Sequence, residues 1–464
     1  MPERAPITSK LAAFIANYSP EYLPTEVMDY TRTLASDGIG ALFAAIHPSV
    51  TASSGIGDFV ETVAGAGKAT LIGRGQTVDP VNAALANGTL GYAADFEPHH
   101  PEAILHPVAV MVPTALAVAE TEGRRGDEFL AAIALGCEIE YRVSMAMNPR
   151  ELYARGFHPS AVAGSFGAAA AASYLFGLDQ TQTVAALGLA ALQTSGLLAW
   201  QDDPREDARP FQMGLAARNG VMSAMLARNG FGAPDRIFDG GHNVLDAYSG
   251  VATAKPLTDG LGEIWDGVVE LAVKPYPCVS FLHPALDALD ELLTQHELRS
   301  QDIEKIELRF AEAGAHCVDD NPLKGHSAQY ILPVRAAMGR LSYLDLFEDR
   351  RETDTEVARL AASAGVTRDT GEFDARFPDF YVGEVTLTLK SGDKVSATSE
   401  IARGYPEQPL SQTDLDRKFA DLAGCVADQP RIDALARAIS GLSGATNVDA
   451  LAAALAPPPN APGL

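Results

Sequence analysis

The sequence predicts a mainly α protein, a large all-helical domain joined to a smaller α+β lid domain. From residue 1 to about residue 265, Ala/Leu/Val-rich stretches recur between Gly, Pro and Asn punctuation, with little strand-like alternation. After about residue 268 the texture changes to short alternating segments separated by turn residues. In the first region, 107–122, 127–146, 161–176 and 181–199 lack a broad polar face, as helices packed on several sides do. Small residues in AVAGSFGAAAAASYLFGL (161–178) allow close helix approach, and the brevity of the stretch and its flanking charges argue against a membrane helix. In the second region KIELRF (305–310) and EVTLTLKSGDKVSATSE (384–400) alternate as strands, the SGD at 391–393 forming a hairpin turn. Residues 324–341 and 354–364 are expected to be helical. The predicted domains are therefore 1–268 with 404–464, and 269–403. The stretch 411–440 places Leu415, Phe419, Leu422 and Val426 on one helical face, so it is expected to pack back on the first domain. The tail APPPNAPGL is expected to be a loose end.

A chain of 464 residues is long enough for roughly two or three domains. Hydrophobic residues make up 47% and charged residues 20%, which places it among globular proteins. Lys plus Arg number 35 against 60 Asp plus Glu, a formal charge of −25. That field repels phosphate backbones and anionic membrane surfaces, so neither nucleic acid nor a membrane is an expected partner. It also repels an anionic metabolite, which must then meet a local cationic cluster inside a pocket. No stretch of about 20 apolar residues or signal-peptide pattern is found. The four cysteines (Cys137, Cys278, Cys317, Cys425) are far apart and form no CxxC pair. A reducing, cytoplasmic location is the expectation.

Chemistry is concentrated in ADFEPHHPEAILHP (94–107), which gathers Asp95, Glu97, His99, His100 and His106 in a protein with only ten histidines. Asp and His also serve as turn and cap residues, but loops of this kind carry sites disproportionately. His99 and His100 are adjacent and should point apart, and the spacing fits no familiar zinc pattern, so no metal is expected. Scattered cysteines likewise offer no iron–sulfur ligand set. In RGFHPSAVAGSFGAAAAA (155–172), His158 precedes Pro159 and Ser160 at a helix N-terminus, where free backbone amides suit a carboxylate or oxyanion. The loop QDDPREDARPFQMGLAARNG (201–220) offers Arg205, Arg209 and Arg218 as carboxylate clamps, or as ordinary partners of the neighbouring acids. KPYPCVSFLHPALDAL (274–289) contributes Lys274, Tyr276 and His283, and KGHSAQY (324–330) contributes Tyr330. GAGKAT (65–70) is not a phosphate loop, because Thr62 stands where the first glycine belongs and Ala69 follows the lysine. No dinucleotide fingerprint is present, so no cofactor is expected.

These segments, from NAALANGTLGYAADFEPHHPEAILHP through GFHPSAVAGSFG, KPYPCVSFLH and HSAQY to GYPEQPLSQTDLDRKF, resemble in order those of the MmgE/PrpD family, over about residues 75–420. The resemblance implies a large helical domain with an α+β lid, usually in a homodimer. It implies metal-free dehydration, decarboxylation or epimerisation at a carbon beside a carboxylate. Asp95 and His106 match the first acid and last histidine of the family's D-[FY]-D-D-T-x-x-x-x-x-H segment. Between them Glu97 stands for the second acid, Pro98 for the third and His99 for the threonine, with one residue inserted. His158 matches the G-x-H-[PS] histidine and Tyr330 the tyrosine of HSxQY. Arg209 and Gln212 replace a lysine and a histidine, and Val279 stands where the decarboxylase-like members carry histidine.

Together these readings imply a lyase eliminating water from a hydroxy di- or tricarboxylate, as in 2-methylcitrate dehydration. Asp95, His106, His158 and Tyr330 are the candidate acids and bases, and His99, Arg209, Arg218, Lys274 and His283 the candidate substrate ligands. An epimerase or isomerase of a dicarboxylate, a decarboxylase, and an altered, inactive binding module are the alternatives.

Overall fold

The computed structural model describes residues 6–203 and 207–456; Arg205 and the 457–464 tail lie outside them. The protein is mainly α, with a two-stranded hairpin and one four-stranded mixed sheet among the described residues, as the mainly α class predicted from sequence requires. Packing divides it into two units, one of residues 1–93, 97–271 and 422–464, the other of 94–96 and 272–421. No helix among the described residues is long and apolar enough to cross a membrane. None of the four cysteines forms a disulfide.

The first unit is built from α1 (Ile7–Ala16), α2 (Thr25–Ala44), α3 (Thr51–Val63), α4 (Pro80–Gly91), α5 (Pro107–Glu122), α6 (Gly126–Met147), α7 (Pro149–Ala154), α8 (Pro159–Phe176), α9 (Gln180–Ala191) and α10 (Ala208–Arg228). A hairpin of β1 (Ala69–Leu71) and β2 (Gln76–Val78), which alternation in so short a stretch could not reveal, joins α3 to α4. Helix α8 is buried along almost its whole length, and it packs on α5, α6 and α10. Glycines permit the closest crossings. A Cβ on Gly214 would meet the Leu85 carbonyl of α4, and one on Gly167 would meet the Gly136 carbonyl of α6. The helix expected over 181–199 ends at Ala191.

Helix α6 carries a buried ion pair. Arg142 Nε donates to Glu138 Oε1 at 2.6 Å, and its Nη atoms donate to the carbonyls of Pro256, Asp259, Gly260 and Ile264. Glu138 Oε2 accepts from the Gly267 amide. One guanidinium thus pins the whole 256–267 loop to the core.

In the second unit, strands lie in the order β4 (Gly365–Asp369), β3 (Ile303–Ala311), β5 (Gly383–Leu389), β6 (Lys394–Ser399). β3 pairs in parallel with β4 and antiparallel with β5, which pairs with β6 across the 390–393 turn. Strand β4 lacks alternation of burial and was not expected from sequence. Helices His283–Gln295 and Ala328–Met338 cover an apolar core that includes Leu286, Leu289, Ile306, Leu308, Phe310 and Leu387. The 411–440 stretch is two helices, Gln412–Ala423 and Gln429–Ser440. Residues through Asp421 belong to the second unit and only those from Leu422 onward to the first. Lys418, on the first of these helices, explains the difference below.

Removing the Arg142 cation would strand Glu138, whose carboxyl burial already pushes up to about 7. Arg142→Leu is expected to cost roughly 3 kcal/mol, measured by urea denaturation. A carboxyl with a raised folded-state pKa loses its stabilising contribution as pH rises through that value, so the cost should be larger at about pH 8 than at about pH 6. An equal cost at both would contradict the assignment.

Candidate active site

Two His-Pro junctions organise the first unit. A residue before proline is biased away from the α region, and proline suits the first helical position. His106 therefore stands immediately before α5 (φ −126°, ψ 59°) and His158 immediately before α8 (φ −85°, ψ 112°). The His106 amide donates to Ser160 Oγ at 2.9 Å, tying one helix start to the other. Their rings stack at 22° with centroids 6.2 Å apart. Two imidazoles thus sit side by side where two helix N-termini, the positive ends of their dipoles, converge.

His106 is oriented by Glu97. Its Nδ1 lies 2.7 Å from Glu97 Oε1, and Glu97 is 1% exposed. A carboxylate at Nδ1 selects the tautomer whose lone pair is on Nε2 and stabilises the ring once protonated. His99 stacks on His106 from another side, 6.0 Å between centroids. His100 turns the other way, onto Tyr141 at 4.7 Å, and burial pushes its pKa down to about 4. It is a core histidine, closing the 100–105 loop through paired bonds with Leu105. Ile104, at φ 54°, is a β-branched residue in the left-handed region, an unfavourable conformation that this pinned loop enforces just before His106.

Arg209 lies at the first turn of α10 and is 2% exposed. Its guanidinium is 4.7 Å from the centroid of Tyr92 and 5.8 Å from that of Trp200. Tyr92 in turn is 4.7 Å from His106 and 5.9 Å from His158. Arg209 therefore joins the histidine cluster through an aromatic contact. Gln212 donates to the Leu197 carbonyl at 2.8 Å, holding the loop beside it. Arg218 follows nine residues later, about 2.5 turns, and so faces the opposite side of the helix, half-buried.

In the second unit Asp95 adopts a left-handed conformation, φ 54°. Lys274 Nζ holds it twice, at 2.7 Å from its carbonyl oxygen and 2.6 Å from Oδ1. Lys418 Nζ takes the next carbonyl, Phe96 O, at 2.8 Å, and lies 3.9 Å from the Phe96 ring centroid. Two buried ammoniums thus fix the turn that carries Asp95, and the helix bearing Lys418 is drawn into this unit with it. His283 is fully buried, its Nε2 3.1 Å from the Cys278 carbonyl, and burial followed by the nearby Lys274 charge pushes its pKa down to about 3. It is a neutral packing residue. Tyr330 is also fully buried. Its hydroxyl donates toward the carbonyls of Asp345 and Glu348 and accepts from the Arg350 amide, and burial pushes its pKa up to about 12. These two side chains pack in the second unit's core and hold the 345–350 loop. Val279, half-buried, offers no titratable group.

Glu97 and His106 are of types that a divalent cation takes, and the imidazole on Glu97 Oε1 competes with one. Sequence reasoning missed Tyr92, Trp200 and Lys418, whose roles come from contacts distant in sequence. Glu97 was visible as a departure from a motif, and its pairing with His106 only from the structure.

Residues 9–257 match the MmgE/PrpD N-terminal domain and residues 276–440 the MmgE/PrpD C-terminal domain. The cis-aconitate decarboxylase-like protein oryM of Aspergillus oryzae is 28% identical, over 96% of each chain. Cis-aconitate decarboxylase of Aspergillus terreus is 26% identical over 96% of this chain and 95% of its own. The Homo sapiens cis-aconitate decarboxylase is 26% identical over 78% and 76%.

The Glu97–His106 pairing is open to nitrogen-15 NMR of labelled histidine. The proton of neutral His106 should reside on Nδ1 and leave it in Glu97→Leu. An unchanged tautomer in that variant would contradict the pairing.

Proposed function

The chain belongs to the MmgE/PrpD family, and on that premise we propose that it is a lyase eliminating water from a small hydroxy di- or tricarboxylate. The stacked His106–His158 pair beside Arg209 carries this reading. Elimination needs a base for the proton next to a carboxylate, an acid for the leaving hydroxyl, and a cation to neutralise the carboxylate. Arg209 supplies the fixed cation, since a guanidinium stays charged. His106 Nε2 takes the proton, because Glu97 occupies Nδ1 and stabilises the imidazolium that forms. His158 protonates the departing hydroxyl. The C–H electron pair becomes the C=C bond, the C–O bond breaks, and water leaves. Lys274 holds Asp95 and Lys418 holds the Phe96 carbonyl.

Decarboxylation is the second reading, favoured by the printed activities of the relatives. Val279 weighs against it, since the family resemblance puts the histidine of the decarboxylase-like members at that position and an alkyl group cannot exchange a proton. We also propose a homodimer. Leu197 (60% exposed) and Phe211 (39% exposed) are apolar and adjoin each other through Gln212, a surface a second copy would cover.

Citrate, 2-methylcitrate, malate and cis-aconitate, assayed in deuterium oxide, separate the chemistries. Elimination predicts an unsaturated product and water, with His158→Ala and His106→Ala each lowering kcat about 10²–10⁴-fold. Carbon dioxide released from cis-aconitate as the sole reaction would establish decarboxylation. Deuterium entering recovered substrate with inversion and no unsaturated product would establish epimerisation. Turnover unchanged in His158→Ala would overturn the mechanism. For the dimer, sedimentation should give twice the chain mass, reduced to one by Leu197→Asp with Phe211→Asp; a monomeric wild type would contradict it.

A further inference from the structure

Trp200 lies in a short 3-10 segment, Leu198–Asp202, that is stitched to the turn before α8. Leu198 N donates to Gly156 O at 2.8 Å and His158 N to Gly196 O at 2.7 Å, with Phe157 and Leu197 bridged between them. These bonds fix the indole edge-on to His158, centroids 5.9 Å apart at 87°. Its ring centroid is also 5.8 Å from the Arg209 guanidinium carbon. Trp200 is 8% exposed, and its Nε1–H meets no acceptor among the described residues.

A buried indole N–H ordinarily finds a partner, and leaving it without one costs free energy. Trp265, the second tryptophan, is likewise without an acceptor, so the missing bond alone is not informative. Their surroundings differ. Trp265 packs on the rings of Phe14 and Tyr18. Trp200 stands between a guanidinium and an imidazole, the groups to which the proposed function gives the carboxylate and the proton.

We infer that Trp200 is a substrate-binding residue, its Nε1–H donating to an oxygen of the carboxylate that Arg209 holds. The inference rests on the proposal that this cluster binds a small polycarboxylate. The indole would then do two things: its face supports the guanidinium, and its single donor selects for an anionic oxygen beside it. The pair distinguishes a carboxylate from an amide or alkyl group of similar size. An amide offers one acceptor and brings donors toward two donating groups, and an alkyl group leaves both donors unmet.

Trp200→Phe removes the donor and keeps an aromatic face for Arg209. Tricarballylate, a saturated tricarboxylate without a hydroxyl to eliminate, serves as the binding probe on the full chain. Its Kd, measured by calorimetry, should rise about 10-fold or more in Trp200→Phe, the loss expected for a hydrogen bond to a charged acceptor. Wild-type indole emission should respond to the probe, and the variant's should not. On a substrate that the wild type turns over, KM should rise similarly while kcat stays within about threefold, the pattern of lost uniform binding. Trp200→His, which restores a ring N–H, should recover part of the loss. The thermal midpoint of Trp200→Phe should not fall, which separates a binding role from a structural one. Wild-type Kd and KM in Trp200→Phe would overturn the inference and leave the elimination reading standing. Tricarballylate binding that depends on Trp200, in a protein that eliminates water from nothing on the panel, would do the reverse.

Discussion

The suitability of proline for the first helical position, with the residue before it biased toward extended backbone, is the constraint on which the candidate site depends. His106 and His158 are accordingly the last residues before α5 and α8 rather than members of them. Because those helices are buried along most of their length, their first residues are fixed by the same packing that makes the core. The Ser160 hydroxyl then ties the two starts together, and the imidazoles stack as a result. Core formation and site formation are in this sense one event. A substitution that loosens the α5–α8 packing should disturb the histidine pair before it unfolds the unit.

Charge shows the same economy. The chain carries −25 overall, yet Arg209, Lys274 and Lys418 are each at most 7% exposed. Burying a cation is costly unless it is paired or bonded. Lys274 meets this with Asp95, and Lys418 with the Phe96 carbonyl and ring. Arg209 is cradled by Tyr92 and Trp200. An acidic exterior discourages polyanions, while these cations are held inside the protein.

Much of this was legible in the sequence. Alanine-rich helices, the alternation of 305–310 and 384–400, and the His-Pro motifs follow from local pattern. The rest was not, for identifiable reasons. Strand β4 draws its order from pairing with β3, and its residues alternate too weakly to announce it. Tyr330 and His283 matched motifs, but their burial and their bonds to backbone groups cannot be read from residue type. Arg218 shares a loop-to-helix segment with Arg209, yet helical periodicity turns it away. Lys418 reaches residues more than three hundred positions earlier, a separation that no local rule detects.

The account turns on Arg209 and the two imidazoles acting on one ligand, and a crystal structure with tricarballylate bound addresses that directly. A carboxylate within hydrogen-bonding distance of Arg209, with a methylene carbon facing His106 Nε2 and His158 beside it, is the predicted arrangement. A ligand seated elsewhere, or a metal ion taking the Glu97 and His106 side chains as ligands, would contradict it.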